Sequence, residues 1–75
     1  MSAAATRDDL LSVVSALTQS AAEQRKWEAE YTTKALTLAG DSRAVFERFA
    51  AQAKGTAFAF EVSADMIRKY VQVEP

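Results

Sequence analysis

The chain has 75 residues and a mass of 8.2 kDa, which is enough for one small domain. Nine Lys and Arg residues against ten Asp and Glu give a net charge of −1, and 49% of the residues are hydrophobic. This balance is typical of an ordinary globular chain and disfavours both a disordered protein and one that coats a polyanion. Because Cys and His are absent, disulfides, thiolate or imidazole catalysis and zinc sites of the usual kind are excluded.

The hydropathy of the chain indicates the expected cellular location of the protein. No apolar stretch approaches the roughly 20 residues that a membrane span needs. Residues 1–7 do not form a basic region followed by an apolar core, as a standard export signal would. We therefore expect a protein without a membrane span, located in the cytoplasm, where the absence of Cys agrees with the reducing conditions.

Helix-forming residues dominate the chain and predict an all-α fold. Thr6 followed by Asp8 and Asp9 is typical of a helix N-terminus, because the hydroxyl caps backbone N–H groups and the carboxylates favour the positive end of the helix dipole. We expect residues 1–5 to be a flexible tail and the first helix to run over about 7–39.

Gly40 predicts the turn that follows this helix. Glycine readily takes the left-handed conformation that closes a helix, and Asp41 or Ser42 can cap the next one. We expect the turn at 39–42 and a second helix over about 42–73. Two long helices of similar length joined by a short turn predict an antiparallel hairpin.

The spacing of apolar residues predicts how this hairpin, a single domain over residues 6–75, packs. At alternating intervals of three and four residues, each helix presents a stripe that we call the seam. The seam consists of Leu10, Val14, Leu17, Ala21, Gln24, Glu28, Tyr31 and Ala35 in the first helix, and of Phe46, Ala50, Ala53, Ala57, Phe60, Ala64, Ile67 and Val71 in the second. Antiparallel pairing centred on the turn places large residues opposite small ones, such as Phe60 opposite Ala21, and close packing favours this alternation.

The second helix carries a further apolar stripe on the side away from the seam. Its members are Ala44, Ala51, Gly55, Phe58, Val62, Met66 and Val73. One helix cannot cover two opposite faces, and the core of a lone hairpin contributes at most about 3–5 kcal/mol, so we expect two hairpins to associate into a four-helix bundle. The expected homodimer interface consists of Ala51, Gly55, Phe58, Val62 and Met66. The alternative occupant of this stripe is a helix of another protein.

Two aromatic residues one helical turn apart, Trp27 and Tyr31, are candidate anchors for a larger protein partner, because Trp and Tyr dominate binding hot spots. The alternative is that both rings pack on the alanines of the second helix. In the middle of the seam we expect Gln24 and Glu28 to lean outward, with Lys54 as the ion-pair partner of Glu28.

Two adjacent basic pairs, Arg25-Lys26 and Arg68-Lys69, raise the alternative of a nucleic-acid-binding regulator. Acidic residues interrupt both pairs, whereas nucleic-acid binding normally needs an uncompensated basic field, so we interpret them as solvated helix faces. A helix-turn-helix reader would in addition require a break of the second helix at Gly55.

The sequence shows no spacing that places a base beside a nucleophile and no Gly-rich phosphate loop. We therefore expect no enzyme activity, no cofactor and no metal. The preferred interpretation is a non-enzymatic protein–protein interaction module, a homodimer that docks on a larger protein as an adaptor, inhibitor or regulator. The alternatives are the nucleic-acid-binding regulator and a structural subunit of a filament or particle.

Overall fold

The first helix begins at the cap that the sequence predicts. The protein is described by a computed structural model over residues 6–73, so the expected tail (1–5), residues 74–75 and the side chain of Val73 lie outside the described part. Thr6 Oγ1 accepts a hydrogen bond from the Asp9 backbone N–H at 3.1 Å, and the Asp9 carboxylate accepts one from the Thr6 N–H at 3.2 Å. This reciprocal capping box satisfies N–H groups that the first helical turn leaves without an intrahelical partner.

The described chain forms two helices and no strand. Helix α1 spans Arg7–Leu36 and helix α2 spans Gly40–Val73, with 30 and 34 residues. The turn between them consists of residues 37–39, earlier than the predicted 39–42, and α2 continues without a break through Gly55. In residues 6–73 neither helix combines the length and the hydropathy that a bilayer crossing requires.

The earlier turn has a local cause in the last residues of α1. The backbone N–H groups of Thr37 and Leu38 bond to carbonyls three residues back, at 3.0 and 3.1 Å, and this tighter bonding ends the α-helical pattern. Gly40 adopts a left-handed conformation with φ of 62°, as predicted, but it opens α2 instead of closing α1.

The buried face of each helix is the predicted seam. The buried hydrophobic side chains are Val14, Ala21 and Ala35 in α1, and Ala53, Ala57, Ala64 and Val71 in α2. Every other seam residue is half-buried. Tyr31, predicted opposite Ala50, places its ring 6.2 Å from Phe46 and 5.5 Å from Phe49, which lie on the same turn of α2 as Ala50. The antiparallel hairpin and its seam are therefore confirmed.

The hydrophobic core of the hairpin is small, because it consists mostly of alanine side chains. Within residues 6–73 no large side chain is completely buried. The Cα atoms extend over 58 × 22 × 13 Å, the elongated and flat outline of two helices side by side. One side of each helix is covered by the other helix, and the remaining sides face solvent.

Candidate interaction surface

The side of α2 that faces away from α1 carries the expected interface. We call Ala51, Gly55, Phe58, Val62 and Met66 the outer face of α2. All five residues are exposed, and Phe58, Val62 and Met66 have 62%, 38% and 66% of their surface accessible. Because the seam occupies the opposite side of the helix, α1 cannot cover these side chains. The hairpin therefore leaves a continuous apolar strip in solvent along α2.

Gly55 lies in the middle of the outer face. Glycine in a helix interior is destabilising by roughly 0.5–1 kcal/mol relative to alanine. A Cβ placed on Gly55 would meet no heavy atom within 4 Å beyond its own helix backbone and chain neighbours. Packing inside the hairpin therefore does not require a glycine at this position. Because α2 is unbroken at Gly55, the described chain does not form the short helices of a helix-turn-helix reader.

The two candidate partner anchors belong to an aromatic cluster on a flank of the hairpin, near the turn. The Trp27 ring stacks on Tyr31 with centroids 5.8 Å apart and an interplanar angle of 23°. Tyr31 in turn contacts Phe46 and Phe49, so its packing on α2 involves these two phenylalanine rings. Trp27 is 48% exposed and borders an open groove of about 290 Å³ that is also lined by Phe49. Of the two anchors, Trp27 offers the larger accessible ring, whereas Tyr31 is half-buried.

An ion-pair network that the sequence analysis missed joins the helices beside the seam. Arg25 donates from Nε and Nη2 to the two carboxylate oxygens of Glu61 at 3.0 and 2.7 Å, and from Nη1 to Glu28 at 3.0 Å. The hydrogen bonds from Arg25 lower the pKa of Glu61, and those to the two carboxylates raise the pKa of Arg25, because each bond stabilises the charged form. Glu28 therefore binds Arg25 and not the expected Lys54.

The predicted pairing of the two helices along the seam contains enough information to predict this ion pair. Arg25 and Glu61 each follow a seam residue directly, on the same side of the hairpin, and an Arg opposite a Glu at such flanking positions favours an interhelical ion pair. Both residues lie outside the apolar stripes, so the helical repeat of apolar residues alone does not predict their contact.

The arginine of each predicted basic pair takes part in an ion pair. Arg68 donates to Asp65 at 2.8 Å and to the Thr18 hydroxyl at 3.0 Å, while Arg25 binds Glu61. Local carboxylates therefore compensate both guanidinium charges.

Neither the acidic side chains of the described residues nor comparisons with known proteins indicate a further functional site. In residues 6–73 no group of three or more Asp or Glu side chains is placed to hold a metal ion. Comparisons of the chain with protein-family models, with curated proteins and with solved structures find no match in any of the three.

Proposed function

We propose that this protein is a non-enzymatic protein-interaction module of the cytoplasm whose functional unit is a homodimer. In this dimer the outer faces of two α2 helices pair. Because each outer face lies opposite its seam, the two hairpins form a four-helix assembly with the helices side by side in the order α1, α2, α2, α1. The supporting observation is the exposed strip of Phe58, Val62 and Met66, which lies opposite the seam. Contiguous apolar surface of this kind marks interaction sites on soluble proteins.

The amount of exposed surface supports a second copy as the occupant. The chain exposes 5671 Å², which is roughly 1,100 Å² more than the surface expected of a compact protein of 8.2 kDa. A protein–protein interface of standard size removes about 800 Å² from each partner. Pairing of two copies along α2 would hide an area of this order and give α2 a covered surface on both sides.

In this assembly the α2 helices are central and the α1 helices lie outside. Each copy then presents Trp27 on a flank, where its ring is already held by stacking on Tyr31. A preordered aromatic ring loses little entropy on binding, which favours its use as an anchor for a larger protein. We propose that the dimer acts as an adaptor, inhibitor or regulator through this ring. Because Arg25 and Arg68 are already in ion pairs, a nucleic-acid-binding role has less support.

A charge placed on the outer face tests the dimer. The wild-type protein should show about twice the chain mass of 8.2 kDa in light scattering at micromolar concentration. Val62→Glu should lower the mass to that of one chain, because an unpaired carboxylate in an apolar interface is strongly unfavourable.

Val45→Glu is the matched control, since Val45 lies on the same helix with nearly the same exposure, 40% against 38% for Val62, but outside the outer face. This variant should retain the dimer mass. A wild-type protein that stays monomeric, or a Val62→Glu variant that stays dimeric, would contradict the proposal.

A further inference from the structure

We infer the register of this dimer, an inference that rests on the proposed function. The two α2 helices run antiparallel about a two-fold axis that passes between Thr56 and Ala57. Phe58 of each copy lies over Gly55 of the partner subunit, and Val62 lies over Ala51 of the partner subunit.

The order of residue sizes along the outer face favours the antiparallel direction. The residues before the axis, Ala51 and Gly55, are small, whereas Phe58, Val62 and Met66 after it are large. In a two-fold dimer, if one residue of the first copy contacts a second residue of the other copy, the reciprocal contact also occurs. Antiparallel helices therefore place Phe58 and Val62 of one copy against Gly55 and Ala51 of the partner subunit, and Met66 beside Glu47 of the partner subunit, while parallel helices would place like against like.

Gly55 has a role in this register that it lacks within the hairpin. The space around its Cα is open, and the Phe58 side chain three residues further is 62% exposed. A glycine under the partner subunit's phenylalanine lets the two helix backbones approach closely, and the ring fills the space that a side chain would take. The close contact offsets the destabilisation that glycine causes within a helix.

The charges on either side of the apolar strip are complementary in the same register. Arg48 of one copy faces Asp65 of the partner subunit, and the pair occurs twice because of the two-fold axis. Both residues are exposed in the hairpin. Asp65 already accepts a hydrogen bond from Arg68 at Oδ1, and its second oxygen can accept from the arginine of the other copy.

Shifts of the register by one heptad are less favourable in either direction. A shift in one direction places Phe58 opposite Val62 of the partner subunit, and Gly55 opposite the carboxylate of Asp65 of the partner subunit. A shift in the other direction places Gly55 opposite Ala51 of the partner subunit, which leaves a gap, and Arg48 opposite Phe58 of the partner subunit. Of the three registers, only the unshifted one places Phe58 and Val62 against small residues and Arg48 against a carboxylate, and such matching is what selects one pairing over others.

Cross-linking reads this register directly, because the chain contains no natural cysteine. Equimolar Ala51→Cys and Val62→Cys proteins are mixed under mild oxidation, and the rate of disulfide-linked dimer formation is measured. Two matched mixtures report the shifted registers: Ala44→Cys with Val62→Cys, and Ala51→Cys with Lys69→Cys. The first mixture should cross-link about tenfold faster than either control and than Ala51→Cys alone, since disulfides require Cα atoms within about 7 Å.

Faster linkage in a control mixture would overturn the register, and fast linkage of Ala51→Cys alone would indicate a parallel dimer. Light scattering of the unoxidised mixtures measures independently whether a dimer forms at all. A dimer mass with the wrong cross-link contradicts the register only, whereas a monomer mass contradicts the register together with the proposed function.

A substitution at the glycine gives an independent readout. Gly55→Leu meets no obstacle in the hairpin, so helicity should be retained, but the leucine displaces the partner subunit's Phe58 and should raise the dimer Kd about tenfold or more. Ser63→Leu, exposed on α2 beside the outer face, is the control and should leave the Kd within about twofold. An unchanged Kd for Gly55→Leu would overturn the proposed contact.

Discussion

Alanine determines how closely the two helices approach along the seam. Ala57 is completely buried, and Ala53 and Ala64 are nearly so. Such small side chains cannot cover much apolar surface, so neighbouring long side chains complete the contact from the flanks. Arg25 and Glu61 do this at the middle of the hairpin, where their guanidinium and carboxylate groups meet through two hydrogen bonds.

Because Arg25 lowers the pKa of Glu61 in the folded protein, this ion pair makes stability depend on pH. The contribution is fully present above the ordinary glutamate pKa and is lost as the pH falls through the lowered pKa of the folded state. Glu61→Gln should therefore destabilise the protein slightly at neutral pH and not at a pH below the folded pKa. Urea unfolding of both proteins across this acidic range measures the difference.

A double-mutant cycle with Arg25→Met is the control for the Glu61 prediction. The coupling between the two substitutions should be favourable at neutral pH and should disappear in the acidic range. A coupling that does not change with pH would show that the carboxylate charge is not its source.

At the scale of secondary-structure elements, the two glycines have opposite roles. Gly40 has a φ of 62° at the start of α2, a conformation that L-residues with a side chain rarely adopt. Gly55 lies inside the same helix with helical backbone. In neither case would an added Cβ meet another group within 4 Å, so backbone conformation decides the effect of a substitution.

Alanine substitutions should therefore shift stability in opposite directions at these two positions. Gly40→Ala should destabilise the hairpin by about 1 kcal/mol, because a Cβ is unfavourable in the left-handed conformation. Gly55→Ala should stabilise it by about 0.5–1 kcal/mol, because alanine is the better helix former. Both are measured by urea unfolding in a Val62→Glu background, which removes the contribution of association. Effects of the same sign would contradict this assignment.

At the scale of the whole molecule, the hairpin is a single layer of helices. Its Cα atoms extend over only 13 Å in the shortest direction, and its surface exceeds that of a compact protein of equal mass. A second copy paired along α2 would cover the outer face and add the large side chains that the alanine core lacks. Folding and association should consequently be coupled.

Coupling of this kind makes the melting temperature depend on protein concentration. For a dimer of two such chains, Tm should rise by roughly 3–6 °C for each tenfold increase in concentration. Calorimetry over two decades of concentration measures this slope, and the Val62→Glu variant should show a slope near zero. A concentration-independent Tm for the wild-type protein would contradict the coupling.

Features that depend only on residue type and periodicity could be predicted from the amino-acid sequence. The N-terminal cap at Thr6 and Asp9 follows from local side-chain chemistry, and the seam follows from the helical repeat. The exposure of Phe58 and Met66 follows as well, since two opposite apolar faces on α2 cannot both be covered by α1. The cap and the seam can each be predicted from a single helix. The exposure of the outer face requires only the knowledge that the chain forms two helices.

Features that depend on how the two helices meet could not be predicted in this way and are visible only in the folded hairpin. The turn falls at 37–39 because of hydrogen bonds at the end of α1, which propensity does not resolve to a single residue. Arg25 binds Glu61, and Tyr31 packs on Phe46, because the rotation and separation of the helices determine which long side chains come into contact. Those two quantities are set by packing along the whole seam, so they are properties of the folded hairpin and not of any segment of the sequence.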